Sequence, residues 1–142
     1  MPFEILQLNM ALGNKKKILV VDDDDITAVH IEILLKPKYE VIVTKSGKDA
    51  LELLYQGYIP DLVLLDILMP GMDGWEIFSR IKAIICLHEV PIVFLSSITD
   101  ESQINRAYLM GAADFITKSC ERKELLSRIK KVIGKSQLQG NK

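Results

Sequence analysis

Apolar runs and helix-period segments alternate along the chain from Lys17 onward. Ile18–Val21 is a short strand-like run that stops at four consecutive aspartates, Asp22–Asp25. Ile26, Val29, Ile33 and Leu34 then recur at helical spacing, and Pro37 closes that segment. Tyr39–Thr44 reads as a second strand. Ser46 is placed to cap the next helix, in which Ala50, Leu53 and Leu54 share a face and which Gly57 ends. Pro60 introduces a third strand, Asp61–Asp66, whose centre Leu62-Val63-Leu64-Leu65 has no polar alternation. A strand apolar throughout is one covered on both faces, as in a parallel sheet between helix layers. The turn-rich string Met69-Pro70-Gly71-Met72-Asp73-Gly74 leads into a helix with Ile77, Phe78 and Ile81 on one side.

Pro91–Leu95 is the fourth strand of this reading. The segment after Asp100 is helical, with Ile104, Ala107 and Tyr108 inward and Gly111 at its end. Asp114–Thr117 is a short fifth strand. Leu125, Leu126, Ile129, Val132 and Ile133 make a last amphipathic helix, which Gly134 is expected to stop. Five β–α alternations predict an α/β fold: a three-layer, flavodoxin-like (βα)5 domain with a five-stranded parallel sheet in the order 2-1-3-4-5 and right-handed crossovers. The expected division is an N-terminal extension over residues 1–15, a domain over residues 16–134, and a tail over residues 135–142. The extension either packs on the domain or a neighbour or is disordered.

Composition narrows the function classes. The chain has 142 residues, 18 Lys and Arg against 19 Asp and Glu, and a formal net charge of -1. That balance gives no electrostatic case for nucleic acid as the main partner. Cys86 and Cys120 are the only cysteines and lack the spacing of a zinc site or disulfide framework, so a cytoplasmic, reducing compartment is expected. No stretch approaches the roughly 20 apolar residues of a membrane span, and the start of the chain does not read as a signal peptide.

In a sheet of this kind the site lies beyond the carboxyl ends of the strands, where the strand order reverses. Asp22 and Asp23 follow the first strand and Asp66 ends the third, and in the predicted order these strands are neighbours roughly 4.8 Å apart. Carboxylates that close raise one another's pKa unless a cation sits among them, and a hard oxygen-seeking ion such as Mg²⁺ suits the set. The fourth strand delivers the hydroxyl of Ser96 and the fifth the ammonium of Lys118. Together these residues form a cradle for a phosphoryl group carried on Asp66, with the metal and lysine neutralising the charge that develops in transfer. Alone, each has a plainer role: Asp24 or Asp25 as a helix cap, Asp66 as a turn acid, Lys118 as a surface lysine. Their coincidence at four strand ends favours the phosphoryl site.

The strings ILVVDDDD (Ile18–Asp25), PDLVLLDILMPGMDG (Pro60–Gly74), PIVFLSS (Pro91–Ser97) and GAADFITK (Gly111–Lys118) resemble the receiver domain of bacterial two-component response regulators. The resemblance spans about Lys16 to Gly134. It implies that Asp66 accepts a phosphoryl group from a phosphohistidine of a sensor histidine kinase or phosphotransfer protein. It further implies Mg²⁺ held by Asp23, Asp66 and the Leu68 backbone carbonyl, with Asp22 acting mainly through water. Ser96 would turn toward the phosphoryl oxygen on activation, Lys118 would contact it, and Phe115 would be the aromatic switch whose ring moves inward. The face built by the fourth helix, fifth strand and fifth helix would carry the signal to a downstream protein, and homodimerisation stays open. Leu68 and Ile98 would flank the phosphoryl site.

One departure concerns Ser119, which stands where the family usually has proline after its lysine. A cis bond before a non-proline residue costs about 3 kcal/mol, so the loop is expected to be trans, with the active conformation less populated. Ser119 could equally cap the last helix. Two other readings compete. Asp23-Asp24-Asp25-Ile26-Thr27 matches the DxDxT signature of haloacid-dehalogenase-type phosphatases, but in the wrong register and without their late acidic pair. A phosphorylation-inert interaction module is favoured only by Ser119. Dinucleotide binding fails because four acids, not a glycine-rich turn, follow the first strand. His30 and His88 have no partner that suggests catalysis.

Overall fold

The computed structural model describes residues 3–4 and 15–140. Nearly all of the expected N-terminal extension, and residues 141–142 of the expected tail, lie outside the described residues. The elements run β1 (Lys17–Val21), α1 (Asp25–Leu35), β2 (Glu40–Thr44), α2 (Gly47–Tyr55), β3 (Leu62–Leu65) and α3 (Gly74–Lys82). A short 3₁₀ turn (Ile85–Leu87) leads to β4 (Ile92–Ser96), α4 (Glu101–Met110), β5 (Asp114–Thr117) and α5 (Arg122–Gly140). All strand pairs are parallel and the order is β2-β1-β3-β4-β5, the flavodoxin-like arrangement that the alternation predicts.

Strand pleating sorts the core into two layers. Successive side chains of a strand point to opposite faces, so Val63 and Leu65 of β3 join Ile77, Phe78 and Ala107 on one side. Leu62 and Leu64 join Ile31, Leu35, Leu125 and Ile129 on the other. All four β3 residues are buried, as its unbroken apolar sequence requires. The helices start where short polar side chains cap them. Asp24, Ser46, Asp73 and Asp100 accept hydrogen bonds from the N–H groups of Ile26, Asp49, Glu76 and Ser102, each cap being worth about 1 kcal/mol. Every one of these helix starts follows the carboxyl end of a strand, so four positive dipole ends flank the same rim of the sheet.

Three sequence expectations change. In α1 the residues that mark the helical period, Ile26, Val29 and Ile33, are exposed, and Ala28, Ile31 and Leu35 face the sheet instead. Both sets obey the same spacing, so periodicity alone does not set the phase. Tyr108 is not inward: the residue is about half exposed, at 47%, and its hydroxyl reaches β5. Gly134 does not stop the last helix, which continues to Gly140. A Cβ at Gly134 would meet nothing, and a glycine inside a helix costs only about 1 kcal/mol, too little to end one whose flanks favour it.

Candidate functional site

Strand register builds the site. Val21 pairs with Leu65, so the next residues, Asp22 and Asp66, emerge side by side, and the Asp66 N–H donates to the Val21 carbonyl at 2.9 Å. Ser96 pairs with Thr117, and the Lys118 N–H donates to the Ser96 carbonyl at 2.9 Å. Four strands thus deliver an acid, an acid, a hydroxyl and a lysine to one corner.

Asp22 and Asp66 are buried and Asp23 is exposed, and carboxylate oxygens of all three lie within 4.8 Å of one another. The Lys118 ammonium sits 3.0 Å from Asp22 Oδ2 and 3.2 Å from Asp66 Oδ2. Asp66 Oδ1 accepts from the Ile67 N–H at 2.8 Å, and Asp22 Oδ1 accepts from the Asp24 N–H at 2.9 Å. Ser96 is fully buried, and its hydroxyl oxygen accepts from the Ile98 N–H at 3.2 Å, which leaves its proton free to donate.

Burial is the main reason the Asp66 carboxyl is pushed up to about 6, and the Asp22 charge adds to it. Lys118 and the Ile67 N–H pull it down without cancelling that rise. Lys118 is itself desolvated, which disfavours its charge, yet the hydrogen bonds and charges of Asp22 and Asp66 outweigh this and raise its pKa. One ammonium therefore does not satisfy the acids around it. An all-oxygen donor set of this size, carrying an acid held well above the usual carboxylate range, fits a small hard divalent cation.

The approach to Asp66 depends on Gly74. The Gly74 N–H donates to the Ile67 carbonyl at 2.9 Å. A Cβ on Gly74 would lie 2.3 Å from the Asp66 carbonyl oxygen and 2.7 Å from Ile67 Cα. Only glycine lets the start of α3 close against the loop behind the acid. Leu68 stands exposed in that loop, and with Pro70, Trp75, Ile98 and Arg106 it lines an open groove of about 810 Å³ beside the site.

A family model for the response regulator receiver domain matches residues 18–130. The chain belongs to this family. A putative response regulator from Chloroflexus aurantiacus is 33% identical, with 85% of this chain and 99% of that chain covered at a TM-score of 0.80. The Mn(2+)-bound form of response regulator Rcp1 is 30% identical, covering 84% and 90% at a TM-score of 0.69. The BeF3-activated DrrB receiver domain is 28% identical, covering 84% and 97% at a TM-score of 0.74.

Within this receiver domain, Phe115 is buried, its ring centroid 6.2 Å from that of Phe94. No cis peptide bond occurs among the described residues, so Lys118 meets both acids through a trans bond to Ser119. Ser119 does not cap α5, which begins at Arg122; its hydroxyl lies 3.3 Å from that of Thr117. The Asp-x-Asp-x-Thr string serves the start of α1: Thr27 Oγ1 donates to the capping carboxylate of Asp24 at 2.6 Å. His30 and His88 are exposed and Cys86 and Cys120 are free. Among the described residues no helix is long and apolar enough to cross a membrane.

Sequence reasoning missed two groups. Trp75 packs on Phe94 at 5.0 Å and carries the Arg106 guanidinium over its ring at 4.2 Å. Asp114, Arg128 and Tyr108 form a hydrogen-bonded cluster on β5. Neither group falls within one motif, and no spacing rule joins residues from α3, α4, β5 and α5.

Proposed function

We propose that Asp66 accepts a phosphoryl group from the phosphohistidine of a sensor histidine kinase or phosphotransfer protein. What carries this reading is a buried acid held near pH 6 at the end of β3, with Lys118 on one of its oxygens and two further carboxylates within ion-binding reach. Asp66 is the nucleophile: its carboxylate oxygen bonds to phosphorus as the phosphorus–nitrogen bond to the donor imidazole breaks. Lys118 holds a phosphoryl oxygen, and the Ile67 N–H fixes the carboxylate plane. Asp23, Asp66 and the Leu68 backbone carbonyl would hold Mg²⁺, with Asp22 acting mainly through water. The bound ion supplies neutralisation of the acid cluster and of the charge on the transferring group. The Mn²⁺-bound relative, similar over 84% of this chain, supports a divalent ion here.

Ser96 has a proton to donate and lies on the strand next to Asp66. Its turn toward the phosphoryl oxygen would vacate space that the Phe115 ring follows, and the face formed by α4, β5 and α5 would pass the change to a downstream protein. The test is incubation with acetyl phosphate and Mg²⁺ followed by intact mass measurement. One added phosphoryl group is expected in the wild type, lost in Asp66→Asn and on chelation. No adduct with any small-molecule or phosphohistidine donor would overturn the proposal in favour of an inert receiver-like module.

A further inference from the structure

β5 is an edge strand: among the described residues its only neighbour in the sheet is β4. An outward-facing edge N–H and C=O are normally left to water or to a pairing strand. At Phe115 both are taken by side chains. The Phe115 N–H donates to Asp114 Oδ1 at 2.8 Å and to the Tyr108 hydroxyl at 3.3 Å, and the Phe115 carbonyl accepts from Arg128 Nη2 at 3.0 Å. The holders are themselves tied together. The Tyr108 hydroxyl donates to Asp114 Oδ1 at 2.9 Å, and Arg128 grips the Asp114 carboxylate with two nitrogens, Nε at 2.8 Å from Oδ2. Glu124, one turn earlier on α5, lies 3.6 Å from Arg128 Nη1.

The charges agree with a held cluster. Burial works against the ionised Asp114, but Arg128 and the Tyr108 hydroxyl more than offset it and keep the carboxyl below its usual range. Planar two-nitrogen contact makes arginine a rigid holder rather than a point charge. Tyr108 comes from α4, Arg128 from α5, and Phe115 from the strand between them. The ring of Phe115 is buried against Phe94.

We infer that Tyr108 and Arg128 are positioning residues for the Phe115 switch, which hold its main chain from the free edge of β5 and join α4, β5 and α5 into one unit. This inference rests on the phosphoacceptor reading of Asp66. The ring can change its packing only within the freedom that the held main chain allows, so loosening the grip alters both the resting state and its response to loading. With Tyr108 released, α4 also loses its only side-chain hydrogen bonds to β5 among the described residues.

The experiment uses the full chain as Tyr108→Phe, which removes one hydroxyl, and Arg128→Lys, which keeps the charge but loses the fork. Amide hydrogen exchange of Phe115 is followed by NMR in unloaded protein, then amide shifts of β5 and α4 are followed with Mg²⁺ and beryllofluoride. The clamp predicts exchange at Phe115 about threefold faster in each variant, less than the loss of one whole hydrogen bond because Asp114 still accepts from the N–H at 2.8 Å, with exchange in β1 and β3 unchanged. It also predicts loaded shifts for β5 and α4 that end at a different position from the wild type. Phe115 exchange within twofold of wild type in Tyr108→Phe overturns the inference, and so do wild-type loaded shifts in both variants. If Arg128→Lys does not fold, Tyr108→Phe decides alone. A wild type that takes up no beryllofluoride counts against the phosphoacceptor reading and against a role in switching, while the exchange rates still decide whether the grip exists.

Discussion

Replacing Asp66 by Asn is expected to stabilise the metal-free protein at neutral pH while abolishing its function. The carboxyl is 4% exposed and is pushed from an ordinary 3.8 up to about 6, first by burial and then by Asp22. One pKa unit is about 1.4 kcal/mol, so a rise of roughly two units sets an upper bound near 3 kcal/mol on what ionising Asp66 takes from the native state. The variant gives some of this back, because Lys118 loses one of two carboxylates, although Asp22 at 3.0 Å remains. The amide oxygen of Asn can still accept from the Ile67 N–H. The net gain at pH 7 should be about 1–2 kcal/mol. Its pH dependence has a definite sign. A folded-state pKa above the unfolded one means no penalty below pH 3.8, a growing penalty up to about pH 6, and a constant one beyond. Urea unfolding followed by far-UV circular dichroism, in chelator at several pH values from 4 to 8, measures this directly. The Asn variant should match the wild type near pH 4 and exceed it at pH 7 and 8. Saturating Mg²⁺ should then narrow or reverse the difference, because only the wild type keeps the full ligand set. A variant less stable than the wild type at pH 7 in chelator, or a gain equal at pH 4 and pH 8, would refute the assignment of Asp66 as a strained buried acid.

Mg²⁺ affinity should fall as pH drops through about 6, by up to tenfold per unit below it, because Asp66 must lose its proton to bind the ion; isothermal calorimetry showing constant affinity from pH 5 to 8 would contradict this. Gly74→Ala places a carbon 2.3 Å from the Asp66 carbonyl oxygen, and is expected to cost about 2–3 kcal/mol and to slow phosphoryl loading. The urea midpoint and intact mass read the two effects, and an unchanged midpoint would show that α3 retreats freely. Ser119→Pro should raise the populated fraction of the active conformation after loading, because proline fixes φ in the loop that carries Lys118 and lowers the cost of ordering it; identical NMR shift positions in variant and wild type would refute it.

The parts of the fold legible in sequence are those set by local rules. Strand β3 declares its burial on both faces because Leu62-Val63-Leu64-Leu65 has no polar residue to offer water. Ser46 announces a helix start because its side chain has a local N–H group to accept from. Asp22, Asp23, Asp66, Ser96 and Lys118 are found because a parallel sheet brings all strand ends to one rim, whatever the loops between them do. The illegible parts are those where two local rules tie or where the deciding contact is remote. In α1, Ile26–Val29–Ile33 and Ala28–Ile31–Leu35 satisfy the same period, and only the sheet beneath chooses between them. Gly134 carries a stop signal that an already formed helix overrides at small cost. Tyr108 reads as a core residue by spacing, yet its hydroxyl needs a polar partner, and Asp114 supplies one six residues on.

The same physics explains why these two kinds of residue have different jobs. Asp22, Asp66 and Lys118 form a group that is nearly but not fully satisfied: two buried acids share one ammonium, and Asp66 remains hard to ionise. A site left in that condition would gain free energy from a divalent ion, and under the proposed phosphoryl transfer its charge balance would change again. Asp114 and Arg128 form the opposite case, an acid held below its usual range by a matched, two-nitrogen partner. That pair has no unmet demand for a ligand, so its role is to hold geometry. Between them lie Phe94 and Phe115, in contact through their rings and with no charge of their own. A change at the strained acids can therefore reach the α4–β5–α5 face through Lys118, which follows β5 directly, and by moving packed side chains. How far they move is set by the grip on Phe115, because the pair that grips it has little to gain from letting go.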